Sequence, residues 1–184
     1  MLPFSYARTE SELLKDIVGD ILRKLTSSCQ NQLKGFVGIE ENLEQIESLL
    51  KIWSGGVKTI GIWGMVGIGK TTLAKALYAK LSPEFEGSCF LENVRENLDK
   101  LGLKALRTEL FSQLLEQKNL APFLVSNFDK RRLGQKKVLI VLDDVTTFKK
   151  LEHLIEDFDL LGPGSRVVVT TRNKEIFHKE VEVF

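Results

Sequence analysis

The 184-residue chain has only two cysteines and two histidines. Cys29 and Cys89 lie far apart and form neither a disulfide framework nor a zinc or redox spacing, which suits a reducing cytosol and leaves them packing roles. His153 and His178 lack the partner spacing of a metal or catalytic pair and read as surface or helix residues. No apolar stretch reaches the roughly 18 residues that a membrane-spanning helix needs, and the N-terminus lacks the charged and apolar regions of a signal peptide. Charge of one sign is missing too: 26 Lys and Arg stand against 25 Asp and Glu, a net charge of +1. That balance argues against reading Lys130-Arg131-Arg132 with Lys136-Lys137 as a nucleic-acid patch, and the cations before Gly134 read as complementing a helix C-terminus. No repeat or low-complexity tract occurs. The length and the 43% hydrophobic content suit one α/β domain with a real core and leave no room for a second full domain.

What is present is concentrated in three segments. The first is Gly64-Met65-Val66-Gly67-Ile68-Gly69-Lys70-Thr71-Thr72, preceded by the apolar run Thr59 to Trp63 and followed by the helical pattern Leu73, Ala74, Leu77, Tyr78, Leu81. A strand, a glycine loop and a helix in this order aim backbone N–H groups and a positive helix end at one pocket, where a polyphosphate fits. The glycines allow left-handed turns and close approach of the amides to phosphate oxygens. Lys70 supplies a cation for the β- and γ-phosphates, the Thr71 hydroxyl reaches a Mg²⁺ ion, and Thr72 adds a hydroxyl toward the α-phosphate. Trp63, beside the loop, reads as core packing and not as a base-stacking platform.

The second segment, Val138 to Leu142 followed by Asp143-Asp144, reads as a strand buried on both faces of a parallel sheet with two carboxylates at its C-terminal end. Ligands bind at that edge of open α/β sheets. Asp143 is the candidate for holding Mg²⁺ through its water shell. Asp144 is placed to orient or deprotonate an attacking water, or to cap the next helix in competition with Thr146 and Thr147. The third segment, Gly164 to Arg172, reads as a β-branched strand ending in two hydroxyls and a cation at the same edge. Arg172 is a candidate γ-phosphate sensor or the partner of a surface carboxylate.

Elsewhere, Thr9 and Glu12 form a capping-box pattern that opens an amphipathic helix with Leu13, Leu14, Ile17, Val18, Ile21, Leu22 and Leu25 on one face, followed by a polar linker to Gln32. A second helix carries Leu43, Ile46, Leu49, Leu50 and Trp53. Ser88 to Leu91 reads as the next strand, with Arg95 near the phosphate edge, and Leu103, Leu106, Leu110, Phe111, Leu114 and Leu115 mark a long helix whose stripe is core. The expected domain division is 1–32 for the linker helix and 33–184 for the nucleotide-binding domain.

Gly64 to Ala74, Phe90 to Glu96, Leu139 to Val145 and Gly164 to Arg172 resemble, in order, the motifs of the nucleotide-binding domain of plant NB-LRR disease-resistance proteins. The phenylalanine-led version at Phe90 resembles the TIR-associated subclass, and Phe36-Val37-Gly38-Ile39-Glu40 is similar to the family motif whose backbone contacts adenine. The resemblance implies a three-layer P-loop NTPase fold with a mainly parallel five-stranded sheet in the order 5-1-4-3-2. It also implies adenine contacts at Val37, Gly38 and Ile39, and a cytoplasmic STAND-type ATPase that rests with ADP and signals with ATP in plant defence. TIR, ARC and leucine-rich-repeat domains would be its partners. By the same resemblance the given residues are expected to hold none of those regions and so to form only one wall of the nucleotide pocket. A GTPase would need Asn-Lys-x-Asp, and Asn173-Lys174-Glu175-Ile176 lacks the aspartate; a small-molecule kinase would need a lid, and no arginine-rich insertion supplies one. A nucleotide-independent adaptor that has kept only the fold is the remaining alternative.

Overall fold

The computed structural model describes residues 39–51, 55–116, 126–147, 154, 161–177 and 181–183. The N-terminal helix expected at Thr9 to Leu25 lies outside them. So do Cys29, Val37, Gly38, Trp53, His153, His178 and any helix that Asp144 would cap, and of Ile39 only the backbone is described.

In chain order the elements are α1 (Ile39–Lys51), β1 (Lys58–Trp63), α2 (Lys70–Leu81), β2 (Gly87–Leu91), α3 (Val94–Leu101), α4 (Leu103–Leu114), α5 (Asn127–Leu133), β3 (Val138–Val145), β4 (Arg166–Thr171) and β5 (Glu182–Val183), with short 3₁₀ turns at Ser82–Glu84 and Lys174–Ile176. The strands form one five-stranded sheet in the order β2-β3-β4-β1-β5. Every pairing is parallel. Read from the other side this is 5-1-4-3-2, the order expected from the resemblance.

The sequence pattern of each strand explains its place. β3 and β4 are central and almost wholly buried, with continuous Val, Ile and Leu runs, because helices cover both faces of a parallel sheet. Val138, Ile140 and Leu142 join Leu106, Leu110 and Leu114 of α4 in one core cluster. The alternate residues Leu139 and Val141 face the other way. They are equally buried, as are Ala74 and Leu77 of α2, and α2 packs on β3 and β4. The expected helix at Leu103 is preceded by a separate one, α3. The break falls at Gly102, whose φ of 81° is a left-handed conformation that favours glycine.

Two cations at the start of the central strands hold α1. Lys58 Nζ donates to Leu49 O at 2.7 Å and Arg166 Nε donates to Leu50 O at 2.9 Å. These carbonyls belong to the last turn of α1, where no intrahelical partner is available and the helix dipole favours positive charge. Arg166 also donates through Nη1 to Gly56 O at 3.0 Å. One side chain therefore ties the end of α1, the approach to β1 and the start of β4 together.

Helix and sheet approach closely at Gly87. A Cβ there would stand 2.4 Å from Leu114 O, a backbone atom that cannot turn aside, whereas a Cβ at Gly55 would meet nothing within 4 Å. Gly87→Ala is therefore expected to destabilise the domain by about 1–3 kcal/mol, as overpacking does, and Gly55→Ala to be near neutral. Thermal denaturation of the two variants checks the contrast.

Candidate functional site

The glycine loop joins β1 to α2 at the C-terminal ends of the parallel strands. Gly67 and Gly69 have φ of 82° and 97°, and an added Cβ would meet nothing within 4 Å at either. Their glycines answer to backbone conformation, not to crowding by the protein. The space beside them is what a phosphate needs in order to reach the amides. Gly69 occupies the N-cap of α2 with no side-chain cap, so the first amides of the helix are left for a ligand to satisfy.

Lys70 Nζ donates to Met65 O at 2.7 Å and so folds back across the loop. Desolvation lowers its pKa, and the neighbouring Arg172 lowers it further, while Asp144 and Asp143 act in the opposite direction. A cation so placed, beside a second one, is suited to an anion of more than one charge. Met65, Val66 and Ile68 are exposed and line the outside of the loop.

Asp143 is buried, only 2% exposed. Its carboxylate accepts from Thr71 Oγ1 at 2.9 Å on Oδ1 and 3.1 Å on Oδ2, and from Thr170 Oγ1 at 2.6 Å. Hydroxyl donors offset the cost of burying the charge. The register between β3 and β4 shifts between Leu142 and Val145, so one extra residue is accommodated on β3. Strict alternation would send Asp143 and Asp144 to opposite faces. The bulge and the left-handed φ of 56° at Asp144 break that alternation. Thr170 Oγ1, which donates to Asp143, accepts from Asp144 N–H at 2.9 Å, so one hydroxyl sets both acids.

Asp144 is paired on both oxygens. Arg95 Nε lies 3.3 Å from Oδ2 and Arg172 Nε 3.2 Å from Oδ1. Both readings of Arg172 placed it at this edge, and its carboxylate partner turns out to be the second aspartate of the site itself. The expectation that Trp63 is core packing is corrected: the side chain is 46% exposed. Its indole N–H donates to Arg172 O at 3.3 Å and Lys174 Nζ stands 5.3 Å above its ring. Trp63 is the last residue of β1, just beyond the buried run Ile60-Gly61-Ile62. The expectation for Cys89 holds: it is a fully buried core residue, and burial pushes its thiol pKa up, which makes it unreactive.

Loop, helix start, buried carboxylate and hydroxyls thus share one edge of the sheet. A profile of the NB-ARC domain matches residues 39–183. The chain belongs to the NB-ARC domain family. TMV resistance protein N of Nicotiana glutinosa is 40% identical over 94% of this chain and 16% of its own length. Disease resistance-like protein DSC1 of Arabidopsis thaliana is 42% identical over 91% of this chain and 14% of its own. The chain therefore spans about a sixth of the length of these curated relatives. Among solved structures, Cdc6p from Pyrobaculum aerophilum matches with a TM-score of 0.50 and 18% identity over 79% of this chain and 44% of that one, a likeness of fold. This NB-ARC domain is a P-loop nucleotide-binding module of the kind carried by plant disease resistance proteins. Among the described residues no helix is long and apolar enough to cross a membrane.

The residues of this NB-ARC domain fit Mg²⁺. Such an ion takes hard oxygen ligands, one or two from the protein and the rest from phosphate and water, and the Thr71 hydroxyl and Asp143 carboxylate are two such donors already in contact. Among the described residues no group of three or more His, Cys, Asp or Glu forms a protein-only metal cage. Sequence reasoning had noted the two hydroxyls that end β4 without assigning them. Thr170 links the acids, and Thr171 Oγ1 donates to Val145 O at 2.7 Å, fixing the end of β3. Only the register between strands could have revealed either role.

Proposed function

We propose that this NB-ARC domain binds ADP and Mg²⁺·ATP, hydrolyses ATP slowly and serves as a STAND-type nucleotide switch in plant immune signalling in the cytoplasm. The observation that carries the reading is the Thr71–Asp143 contact at 2.9 Å. It joins the first turn of the helix after the glycine loop to the acidic end of β3, at the point where a phosphate-bound cation would sit. Lys70 is the ligand of the β- and γ-phosphates, and the amides from Gly64 to Thr72 enclose them. Thr71 and Asp143 would hold a Mg²⁺ ion, which would neutralise charge on the phosphates. Asp144 orients the attacking water and Arg172 reads the terminal phosphate. Val37, Gly38 and Ile39 are assigned to adenine. The TIR, ARC and leucine-rich-repeat regions of longer family members are the natural partners of the module.

Titration calorimetry tests this. ATP and ADP are expected to bind in the presence of Mg²⁺, with GTP at least about tenfold weaker, a difference of about 1.4 kcal/mol. Chelating the Mg²⁺ is expected to weaken ATP more than ADP, because the triphosphate carries more charge for such an ion to neutralise. A folded protein that binds none of the three would instead be a nucleotide-independent adaptor.

A further inference from the structure

The two guanidiniums on Asp144 are not equivalent. Arg172 directly follows β4, the strand hydrogen-bonded to β1, and Thr171 is in register with Trp63 at the entrance of the glycine loop. It lies on the loop side of Asp144, near enough to Lys70 to be felt by it. Arg95 comes from the opposite direction. It follows β2, the edge strand on the other side of β3, and the sheet order places Asp144 between Arg95 and the loop.

The route to Arg95 is built with unusual care. Asn93 has φ 48°, ψ 47°, a left-handed conformation that few residues other than Gly, Asn and Asp adopt. Val94, at the start of α3, is 1% exposed and anchored in the core cluster. The preceding Glu92 is paired with Lys75 of α2 at 2.7 Å, and its carbonyl accepts from Asn97 Nδ2 at 2.8 Å. Arg95 therefore leaves a fixed turn. The non-glycine residues Asn93 and Asp144, one on each side of the ion pair, both have positive φ. Such conformations cost energy and persist where the surroundings impose them.

We propose that Arg95 is the permanent positioning residue of Asp144, and that Arg172 is its exchangeable partner, surrendered to the terminal phosphate when a triphosphate binds. This rests on the nucleotide reading above. Arg95 holds one carboxylate oxygen of Asp144 throughout. The other oxygen is occupied by Arg172 until the γ-phosphate draws that cation away, and it then becomes free to accept a hydrogen bond from water. The acid is thus kept engaged without a triphosphate and oriented with one, and hydrolysis is coupled to phosphate sensing through a single carboxylate.

The test uses the full chain with Mg²⁺ and either ADP or a non-hydrolysable β,γ-imido analogue of ATP, followed through the arginine Nε–Hε resonances. The Arg172 resonance is expected to shift with the imido analogue and not with ADP. That of Arg95 is expected to stay in place with both ligands and to move in Asp144→Asn. This readout needs no turnover. In ATP hydrolysis, Arg95→Met is expected to lower kcat about ten- to a hundredfold, the scale of a misplaced catalytic group, with KM changed by less than about twofold and partial recovery in Arg95→Lys. Added to Asp144→Asn it is expected to cause no further loss, since the two act as one unit. An Arg95 resonance that moves with the triphosphate as Arg172 does, or an Arg95→Met loss that adds fully to that of Asp144→Asn, would overturn the proposal while leaving nucleotide binding intact. Absence of any nucleotide binding to the folded chain would overturn both.

Discussion

Asp144→Asn is expected to retain Mg²⁺·ATP while hydrolysis falls about 10²-fold or more, the usual scale for a lost general base. The amide has nearly the same shape, so the bulged backbone at Leu142 to Val145 and the bond from Asp144 N–H to Thr170 Oγ1 have no reason to change. What is lost is the charge that holds Arg95 and Arg172. A released Arg172 is free to pair with a terminal phosphate, so ATP affinity is expected not to fall. Single-turnover hydrolysis beside equilibrium binding checks both halves. Equal hydrolysis in wild type and variant would remove Asp144 from the chemistry and leave it a structural acid. Asp143 has a different environment, buried between two hydroxyl donors, and its loss is expected to appear as weakened Mg²⁺ dependence.

Lys70→Ala is expected to weaken ADP and ATP binding on the order of ten- to a hundredfold. A hydrogen bond to a charged group contributes about 1.5–3 kcal/mol, and each 1.4 kcal/mol is about a factor of ten in affinity. The structure gives a second reason for a large effect. Lys70 Nζ bonds to Met65 O, so the side chain proposed to meet phosphate also closes the loop on itself. Removing it loosens the cradle before a ligand arrives. The fold should survive, because the anchor of α2 is the buried set Leu73, Ala74, Ala76, Leu77 and Leu81 and Lys70 lies outside it. Calorimetry showing unchanged affinity in a variant with native thermal stability would refute the role given to Lys70.

Much of this was legible because the signals are local. The strand before the glycine loop and the helix after it follow from short-range patterns, and of the loop's three glycines Gly67 and Gly69 have the positive φ expected of them while Gly64 does not. β3 reads as buried from its unbroken apolar run alone. The strand order came from family resemblance, since no local pattern states which parallel strands are neighbours. Trp63 was misjudged for a related reason. An aromatic residue at the end of a buried strand is apolar by composition, but the last position of β1 lies beyond the cover of the helices, and only its neighbours Arg172 and Lys174 explain its place.

The sequence by itself determined which groups are present: a glycine loop between strand and helix, a cation, a hydroxyl and two acids, each recognisable from residue type and spacing to its own neighbours. Tertiary structure decided how those groups act on one another. Thr71 and Asp143 are 72 residues apart and Thr170 and Asp143 27 apart. The second contact exists because β3 and β4 are adjacent in the sheet and slip by one residue at the bulge, and the first because α2 packs across both strands. The clamp on Asp144 likewise joins arginines that follow β2 and β4, strands separated by β3. Such contacts depend on strand order and register, which are set by how helices bury both faces of the sheet at once, and no short window of sequence contains that information.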